Sequence, residues 1–139
     1  MIQLDDVVIG CTHFQWKEFL IVPSWGVDYV YPNQDVIENI VKTAQTMEKV
    51  RRILGDAPIK ITSGWRPAKY NKLIDGSEGS AHIEGLACDF QHSLKDAQTC
   101  RFQLLAHLES LKIRMEDLDG ANWVHIDLRE PIYKRYFKP

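Results

Sequence analysis

The chain has 139 residues, of which 45% are hydrophobic and 26% are charged. This length predicts a single domain, residues 1–139, and the composition excludes a disordered or fibrous chain. A formal net charge of -2 argues against a nucleic-acid-binding protein that relies on a basic surface. No stretch has the roughly 18 consecutive apolar residues of a membrane helix, and the acidic start MIQLDD differs from a secretory signal. We therefore expect a chain that folds in the cytoplasm and does not associate with membranes.

The first predicted elements are an irregular opening and a long helix. Turn-forming residues occur in PSWG (23–26) and in YPNQD (31–35). From Val36 to Leu54, apolar residues recur with the i, i+3, i+4 spacing of an amphipathic helix. Asn33 is suited to cap the start of this helix, and Gly55 is suited to end it.

A strand and a second helix follow. The segment APIKITSGW predicts a short strand, because Ile59 and Ile61 alternate with polar neighbours. The second helix is predicted from about Ser93 to Leu111, since Ser93 and Asp96 have the spacing of a capping box. Its predicted apolar face consists of Phe102, Leu105, Leu108 and Leu111.

The segments GLACDF and WVHIDL predict strands with one apolar and one polar face. The apolar faces consist of Leu86, Cys88 and Phe90 in the first and of Val124, Ile126 and Leu128 in the second. The opposite faces carry Ala87 and Asp89 in the first and Trp123, His125 and Asp127 in the second. Helices and short strands in this order predict an α+β domain, with a small, mainly antiparallel sheet flanked by helices.

A histidine and an aspartate lie on either side of a glycine in HIEGLACD. His82 lies an odd number of positions before Asp89, so one uninterrupted strand would send their side chains to opposite faces. Gly85 allows a bend that brings them together. With His125 they form a three-ligand set for Zn²⁺ that leaves a fourth position for water, as metal-assisted hydrolysis of an amide requires. On spacing alone, solvated or hydrogen-bonded structural residues remain the alternative.

The residues around these positions resemble a known family. SAHIEGLACD matches the S-x-H-x-x-G-x-A-x-D signature of the M15 zinc peptidases, which include D-Ala-D-Ala carboxypeptidases, D,D-dipeptidases and bacteriophage L-alanyl-D-glutamate endopeptidases. ITSGWRPAKYN is similar to the I-T-S-G-[YW]-R-x-x-x-x-N segment of that family, and NWVHIDLR is similar to its second histidine strand. HFQWKEF resembles the start of the phage-type branch.

This resemblance implies a fold, a cofactor and a substrate. The fold is the one shared by D,D-peptidases and the Hedgehog signalling domain, and the substrate is the stem peptide of peptidoglycan. One zinc ion per chain is implied, with His82, Asp89 and His125 as its ligands. Arg66 is expected to lie beside the metal and to bind the substrate carbonyl or the developing oxyanion. Candidate substrate contacts are Ser80, Trp65 and Trp123.

The sequence departs from the family pattern at Asn122. In the carboxypeptidases and dipeptidases, an acid at this position is the general base, and an amide cannot accept and return a proton at neutral pH. Asp127 shares a strand face with His125 and is the nearest substitute, although orienting the imidazole is an equally suitable role for it. Glu84 and the acids of MEDLDG, especially Asp119, are further candidates.

Three functional classes follow from these observations. The leading one is a phage or prophage cell-wall-degrading enzyme, a D,D-carboxypeptidase or an L-Ala-D-Glu endopeptidase, that acts at the bacterial wall as an endolysin or as part of a virion. The second is a metal-binding structural component that contacts other virion proteins and has little turnover, because Asn122 replaces the acid. The third is a non-haem iron oxygenase, since His125 and Asp127 form an H-x-D pair, although no histidine follows Asp127.

Overall fold

The computed structural model describes residues 1–20 and 31–139, so the turn predicted in PSWG (23–26) lies outside the described residues. The helices are α1 (Trp16–Leu20), α2 (Gln34–Ile53), α3 (Ala68–Leu73), α4 (Ala81–Glu84), α5 (Ala97–Leu104) and α6 (Leu108–Leu111). The strands are β1 (Ile59–Ser63), β2 (Ala87–His92), β3 (Arg114–Glu116), β4 (Val124–Asp127) and β5 (Tyr136–Phe137). None of the helices in this part of the chain combines the length and the apolar composition that crossing a membrane would require.

The strands form one five-stranded sheet in the order β1-β2-β4-β3-β5. The pairs β1/β2, β2/β4 and β3/β4 are antiparallel, and β3/β5 is parallel. The predicted α+β class with a mainly antiparallel sheet is therefore confirmed. Because β2 and β4 are neighbours in the sheet, residues from distant parts of the sequence meet at its centre.

The long helix α2 starts and ends where its sequence predicts. The side chain of Asn33 accepts a hydrogen bond from the backbone N–H of Val36 at 2.9 Å, which caps the start. Gly55 follows the last turn with a φ of +100°. The buried apolar face of α2 packs into the core through Val36, Ile40, Ala44, Met47 and Val50.

The second predicted helix starts later than its sequence suggested. Asp96, and not Ser93, caps α5 by accepting a hydrogen bond from Thr99 N–H at 2.7 Å. Ser93 N–H instead donates to the Pro58 carbonyl next to the β1/β2 pair. A 3-10 turn, Leu105–His107, separates α5 from α6.

The predicted apolar face of this helical segment was wrong in its first half. Phe102 is 76% exposed and Leu105 is 42% exposed. The face that enters the core is formed by Cys100, Leu104 and Leu108. These residues also have helical spacing, and the side that faces the sheet was decided by tertiary packing.

The sheet has an apolar face and a polar face, as the alternation predicted. Cys88, Phe90, Val124 and Ile126 lie in the core. The opposite face carries Asp89 on β2 and His125 and Asp127 on β4, and all three are buried. Buried polar groups must be paired or bind a ligand, so this face is where a functional site is expected.

Candidate metal centre

The short helix α4 positions His82. The Ser80 hydroxyl caps the helix by accepting a hydrogen bond from His82 N–H at 3.2 Å. The ring Nδ1 of His82 lies 2.7 Å from the Gly64 carbonyl oxygen. A carbonyl only accepts hydrogen bonds, so Nδ1 carries the proton and Nε2 presents a lone pair.

Gly85 reverses the chain between His82 and Asp89. It ends α4 with a left-handed φ of +78°, a conformation that favours glycine. A Cβ at this position would lie 3.1 Å from the Val36 carbonyl oxygen of α2. The Gly85 carbonyl also accepts a hydrogen bond from Thr43 Oγ1 at 2.8 Å. The bend that the sequence predicted is therefore present, and it is packed against α2.

Asp89 and His125 face each other across the β2/β4 pair. Oδ1 of Asp89 lies 2.8 Å from His125 Nδ1 and 3.3 Å from His82 Nε2. One ligand atom from each of these three residues lies within 4.8 Å of the others. Their exposed fractions are 9% or less, so three potential ligand atoms converge in a nearly dry site.

The other ring nitrogen of His125 is bound by Asp127. His125 Nε2 lies 3.1 Å from Asp127 Oδ2. Arg114 donates to both oxygens of Asp127, from Nε at 2.8 Å and from Nη2 at 2.9 Å, and Arg129 N–H donates to Oδ1 at 3.1 Å. An ionised Asp127 holds the proton of His125 on Nε2, so Nδ1 is the nitrogen left for a metal. This hydrogen bonding gives Asp127 an orienting role, and its side chain is 1% exposed.

Hydrogen bonding sets the protonation of these groups. Burial alone raises the pKa of Asp89, but its close contacts with His125 and His82 outweigh burial and leave the pKa well below its ordinary value. Burial lowers the pKa of His125, whereas hydrogen bonds to Asp127 and Asp89 raise it to about 9. In Asp127, burial likewise raises the pKa, and hydrogen bonds from His125 and Arg114 lower it below the usual range. Both carboxylates are ionised at neutral pH, so Asp89 offers an anionic oxygen ligand.

The three candidate ligands face a cavity of about 230 Å³. The other lining residues are Arg66, Ser77, Ser80, Glu116 and Trp123. Arg66 is fixed by a 3.0 Å hydrogen bond from Nε to Ser63 Oγ, and its Nη2 lies 3.4 Å from Asp89 Oδ2. Arg66, Ser80 and Trp123 thus lie beside the candidate metal centre, and their predicted roles in binding the substrate stay predictions. Trp65 does not line this cavity, because its indole donates to the Ile83 carbonyl at 2.9 Å and its ring packs against the core.

Glu116 is the carboxylate best placed to act in this cavity. It lies on β3 and lines the cavity. Its Oε1 is also 3.9 Å from His125 Nε2, the ring nitrogen that binds Asp127. Asn122 and Asp119 line a different cavity. Glu84 is paired with Arg129 at 2.6 Å. The sequence had named several acids as candidate bases. Of these, Glu116 is the one that lines the metal-site cavity in the described part of the chain.

Two residues of the site carried no clear signal in the sequence. Arg114 fixes Asp127 from the neighbouring strand β3, and only the β3/β4 register, which pairs these two residues, brings them together. Ser77 lines the cavity from the loop before α4. The alternation of Arg114 and Glu116 in RME would place both on one strand face, but β3 is too short to be recognised by its pattern.

The comparisons with known proteins agree with this geometry. The family model described as Peptidase M15 matches residues 12–127. The chain belongs to the peptidase M15 family. No curated protein shows a significant match. As a member of this family the protein is a hydrolase of the metallopeptidase type, and M15 peptidases are generally zinc-dependent.

The H-x-D pair considered for an iron oxygenase has a different arrangement here. Asp127 binds the ring nitrogen of His125 that points away from Asp89, and the cluster of potential ligands consists of His82, Asp89 and His125. A facial triad would need both members of the pair to face one metal. This geometry and the family membership together favour the peptidase.

Proposed function

We propose that this M15 peptidase is a zinc enzyme that hydrolyses a peptide bond in the stem peptide of peptidoglycan. The observation that carries the proposal is the convergence of His82 Nε2, Asp89 Oδ1 and His125 Nδ1 in a buried site beside an open cavity. Two imidazoles and one carboxylate are a ligand set of catalytic zinc sites, which keep a further position for water or substrate. The bond cut is the D-Ala-D-Ala bond of a D,D-carboxypeptidase or the L-Ala-D-Glu bond of an endopeptidase.

The donor set fits one zinc ion per chain. The Gly64 carbonyl holds the proton of His82 on Nδ1, and Asp127 holds a proton of His125 on Nε2. Because the pKa of His125 is about 9, its Nδ1 also carries a proton at neutral pH, and a bound zinc would displace that proton. When bound, zinc supplies a Lewis acid that polarises a carbonyl and lowers the pKa of a water ligand. The protein groups around the cavity must then move protons and bind the substrate.

Glu116 is proposed as the general base in place of Asn122. Its carboxylate takes a proton from water as the water oxygen bonds to the carbonyl carbon of the substrate. It returns that proton to the amine nitrogen as the C–N bond breaks, which leaves a carboxylic acid and an amine. The position of Glu116 in the wall of the metal-site cavity supports this assignment. General acid-base catalysis of this kind contributes about 10²- to 10⁴-fold to the rate.

The remaining lining residues have binding roles in this proposal. Arg66 is a fixed cation beside Asp89 and stabilises negative charge that develops on the carbonyl oxygen. Trp123, which is 37% exposed, forms a wall of the cavity against the substrate. Ser80 caps α4 and keeps His82 in place.

The biological setting is inferred from the resemblance of HFQWKEF to the phage-type branch of the family. We infer a phage or prophage protein that acts at the bacterial cell wall, as a lysin or as a virion component with other virion proteins as partners. The competing function, a structural component with the peptidase fold and little turnover, was suggested by Asn122. Glu116 supplies the acid that Asn122 lacks, which favours the enzyme.

Digestion of purified peptidoglycan tests this function. Zinc-loaded protein is incubated with peptidoglycan, and the fragments are analysed by mass spectrometry. New peptide termini are expected with the wild type and not with His82→Ala, and their masses identify the bond that was cut. One zinc per wild-type chain without any new terminus would favour the structural component instead.

A further inference from the structure

Arg129 follows β4 in the chain and contacts both ends of the short helix α4. Its Nη1 donates to the carbonyl of Gly79, the residue before the Ser80 cap. Its Nη2 donates to Oε1 of Glu84, the last residue of α4, at 2.6 Å. One guanidinium group therefore bridges the whole of the helix that carries His82.

The backbone of Arg129 is tied to the other half of the metal centre. Its N–H donates to Oδ1 of Asp127 at 3.1 Å, and Oδ2 of Asp127 binds Nε2 of His125. The ring centroids of His82 and His125 are 5.2 Å apart. Arg129 thus links the two elements, α4 and β4, whose histidines must keep this separation to share one metal ion.

The helix α4 needs contacts from other segments to keep its shape. It has four residues, and isolated helices shorter than about 12–15 residues are marginal in water. His82 Nδ1 binds the Gly64 carbonyl at 2.7 Å, and Trp65 Nε1 donates to the Ile83 carbonyl at 2.9 Å. These two contacts fix α4 relative to the segment after β1. Arg129 adds contacts from the segment after β4, so α4 is also fixed relative to the strand that carries the second histidine.

The bond to the Gly79 carbonyl also holds the loop before α4. Gly79 is exposed, and a Cβ at this position would meet nothing within 4 Å, so the loop has little packing of its own here. Ser77 and Ser80, on either side of it, line the metal-site cavity. Ser80 N–H donates to the Ser77 carbonyl at 3.0 Å. By fixing Gly79, Arg129 therefore also fixes one wall of that cavity.

We propose that Arg129 is a positioning residue that holds His82 and His125 at the separation a metal ion requires. The proposal rests on the proposed function, since zinc is the ion that these histidines are proposed to bind. A positive charge near the site repels Zn²⁺, so charge alone predicts that loss of Arg129 strengthens zinc binding. Positioning predicts the opposite, because a site held in its binding geometry loses less conformational entropy on binding.

Zinc affinity, measured by competition with a fluorescent chelator, tests the proposal without any substrate. Arg129→Gln is expected to bind zinc about tenfold less tightly, as loss of a charge-assisted hydrogen bond to the Gly79 carbonyl implies. Arg129→Lys keeps the charge but loses the planar group that binds two acceptors at once, and is expected to bind zinc about threefold less tightly. Arg51→Gln is the matched control, since Arg51 also binds one carboxylate and one carbonyl, both of Asp56, after the end of α2.

The ion pair with Glu84 makes a smaller contribution. Its side chains are 29% exposed in Arg129 and 47% exposed in Glu84, and exposed ion pairs contribute little. Glu84→Gln alone is therefore expected to weaken zinc binding by less than about fivefold. The double variant of Arg129→Gln and Glu84→Gln is expected to bind zinc no less tightly than Arg129→Gln, because both changes remove the same ion pair.

Cobalt substitution reports the geometry of the site itself. The visible absorption of bound Co²⁺ depends on the arrangement of its ligands, so its bands are expected to shift in Arg129→Gln and to stay unchanged in Arg51→Gln. A merely structural role of Arg129 would lower the free energy of unfolding and would leave the cobalt spectrum of the folded protein unaltered.

The outcomes separate this inference from the proposed function. Equal or tighter zinc binding by Arg129→Gln, or a cobalt spectrum identical to that of the wild type, would overturn the positioning role and leave the zinc site intact. Wild-type zinc affinity in Arg129→Lys would assign the effect to charge and would overturn it as well. This lysine variant decides the question if Arg129→Gln does not fold. Absence of zinc from the wild type would instead overturn the proposed function, and this inference with it.

Discussion

Asp127 accepts a hydrogen bond from Nε2 of His125 at 3.1 Å, on the side of the ring opposite to Asp89. Arg114 binds both oxygens of the same Asp127. The chain Arg114–Asp127–His125 therefore fixes the ring and directs Nδ1 to the candidate metal centre. Carboxylates in such positions raise the basicity of the imidazole ligand.

Asp127→Asn is expected to lower zinc affinity about 10- to 100-fold, because the neutral amide holds the His125 tautomer less firmly. Competition with a fluorescent zinc chelator measures the change. Asp117→Asn is the matched control, since Asp117 pairs with Lys138 at 2.9 Å away from the metal-site cavity. Equal zinc affinity of Asp127→Asn and the control would show that Asp127 does not orient the ligand.

Glu116→Gln is expected to lower the rate of stem-peptide hydrolysis about 10²- to 10⁴-fold while zinc stays bound at one per chain. Asp119→Asn, which changes another acid of MEDLDG that does not line the metal-site cavity, is the control and is expected to keep the rate. Asn122→Asp is expected to leave the rate unchanged, because residue 122 does not face the metal-site cavity. A higher rate in Asn122→Asp, or an unaltered one in Glu116→Gln, would assign the base differently.

Gly85→Ala is expected to destabilise the fold by more than the roughly 1–2 kcal/mol that a left-handed alanine costs. The added Cβ would also meet the Val36 carbonyl oxygen at 3.1 Å. Gly120→Ala is the matched control, since Gly120 has a φ of +81° and open space around the Cβ position. Urea unfolding of both variants measures the difference. If both variants lost the same free energy of unfolding, the contact between residue 85 and the Val36 carbonyl of α2 would not constrain the turn at Gly85.

Glu48 is expected to stabilise the fold above its ordinary pKa and to lose this effect in acid. Burial raises its pKa, but hydrogen bonds from His13 and Thr12 leave the pKa below the ordinary value of 4.5. The carboxylate is 2.7 Å from His13 N and 2.9 Å from His13 Nδ1. Because the folded-state pKa is the lower one, the stabilisation is complete above pH 4.5 and disappears as pH falls through the folded-state value.

The melting temperatures of wild type and Glu48→Gln across this pH range measure that effect. At neutral pH the variant is expected to be about 1–3 kcal/mol less stable, as loss of hydrogen bonds to a charged group implies. The difference in stability between wild type and variant is expected to disappear in acid. A stability difference that stays constant throughout the pH range would rule out the ionised carboxylate of Glu48 as its cause.

Much of the fold was predictable because local signals agreed with packing. The apolar spacing and the Asn33 cap define α2, and strand alternation separates Asp89 and His125 from the core. Phe102 was assigned to the core wrongly, because helical spacing alone does not decide which of two faces meets the sheet. The predicted single-domain organisation stays a prediction.

The candidate site was predictable in its ligands and not in its surroundings. His82, Asp89 and His125 stand out through alternation, Gly85 and the family resemblance. Glu116 was one of several acids in MEDLDG, and only the strand order, with β3 beside β4, brings it to the cavity instead of Asp119. The ion pair between Asp127 and Arg114 depends on the register of β3 against β4, and the spacing of residues in the sequence does not reveal that register.

Anomalous X-ray scattering at the zinc edge, from crystals of the zinc-loaded protein, tests the proposed zinc site directly. One zinc peak per chain is expected, about 2.0 to 2.2 Å from His82 Nε2, an oxygen of Asp89 and His125 Nδ1. Glu116 is expected to face the remaining coordination position. A zinc ion bound through His125 Nε2 and Asp127, or at other residues, would contradict this assignment of the ligands.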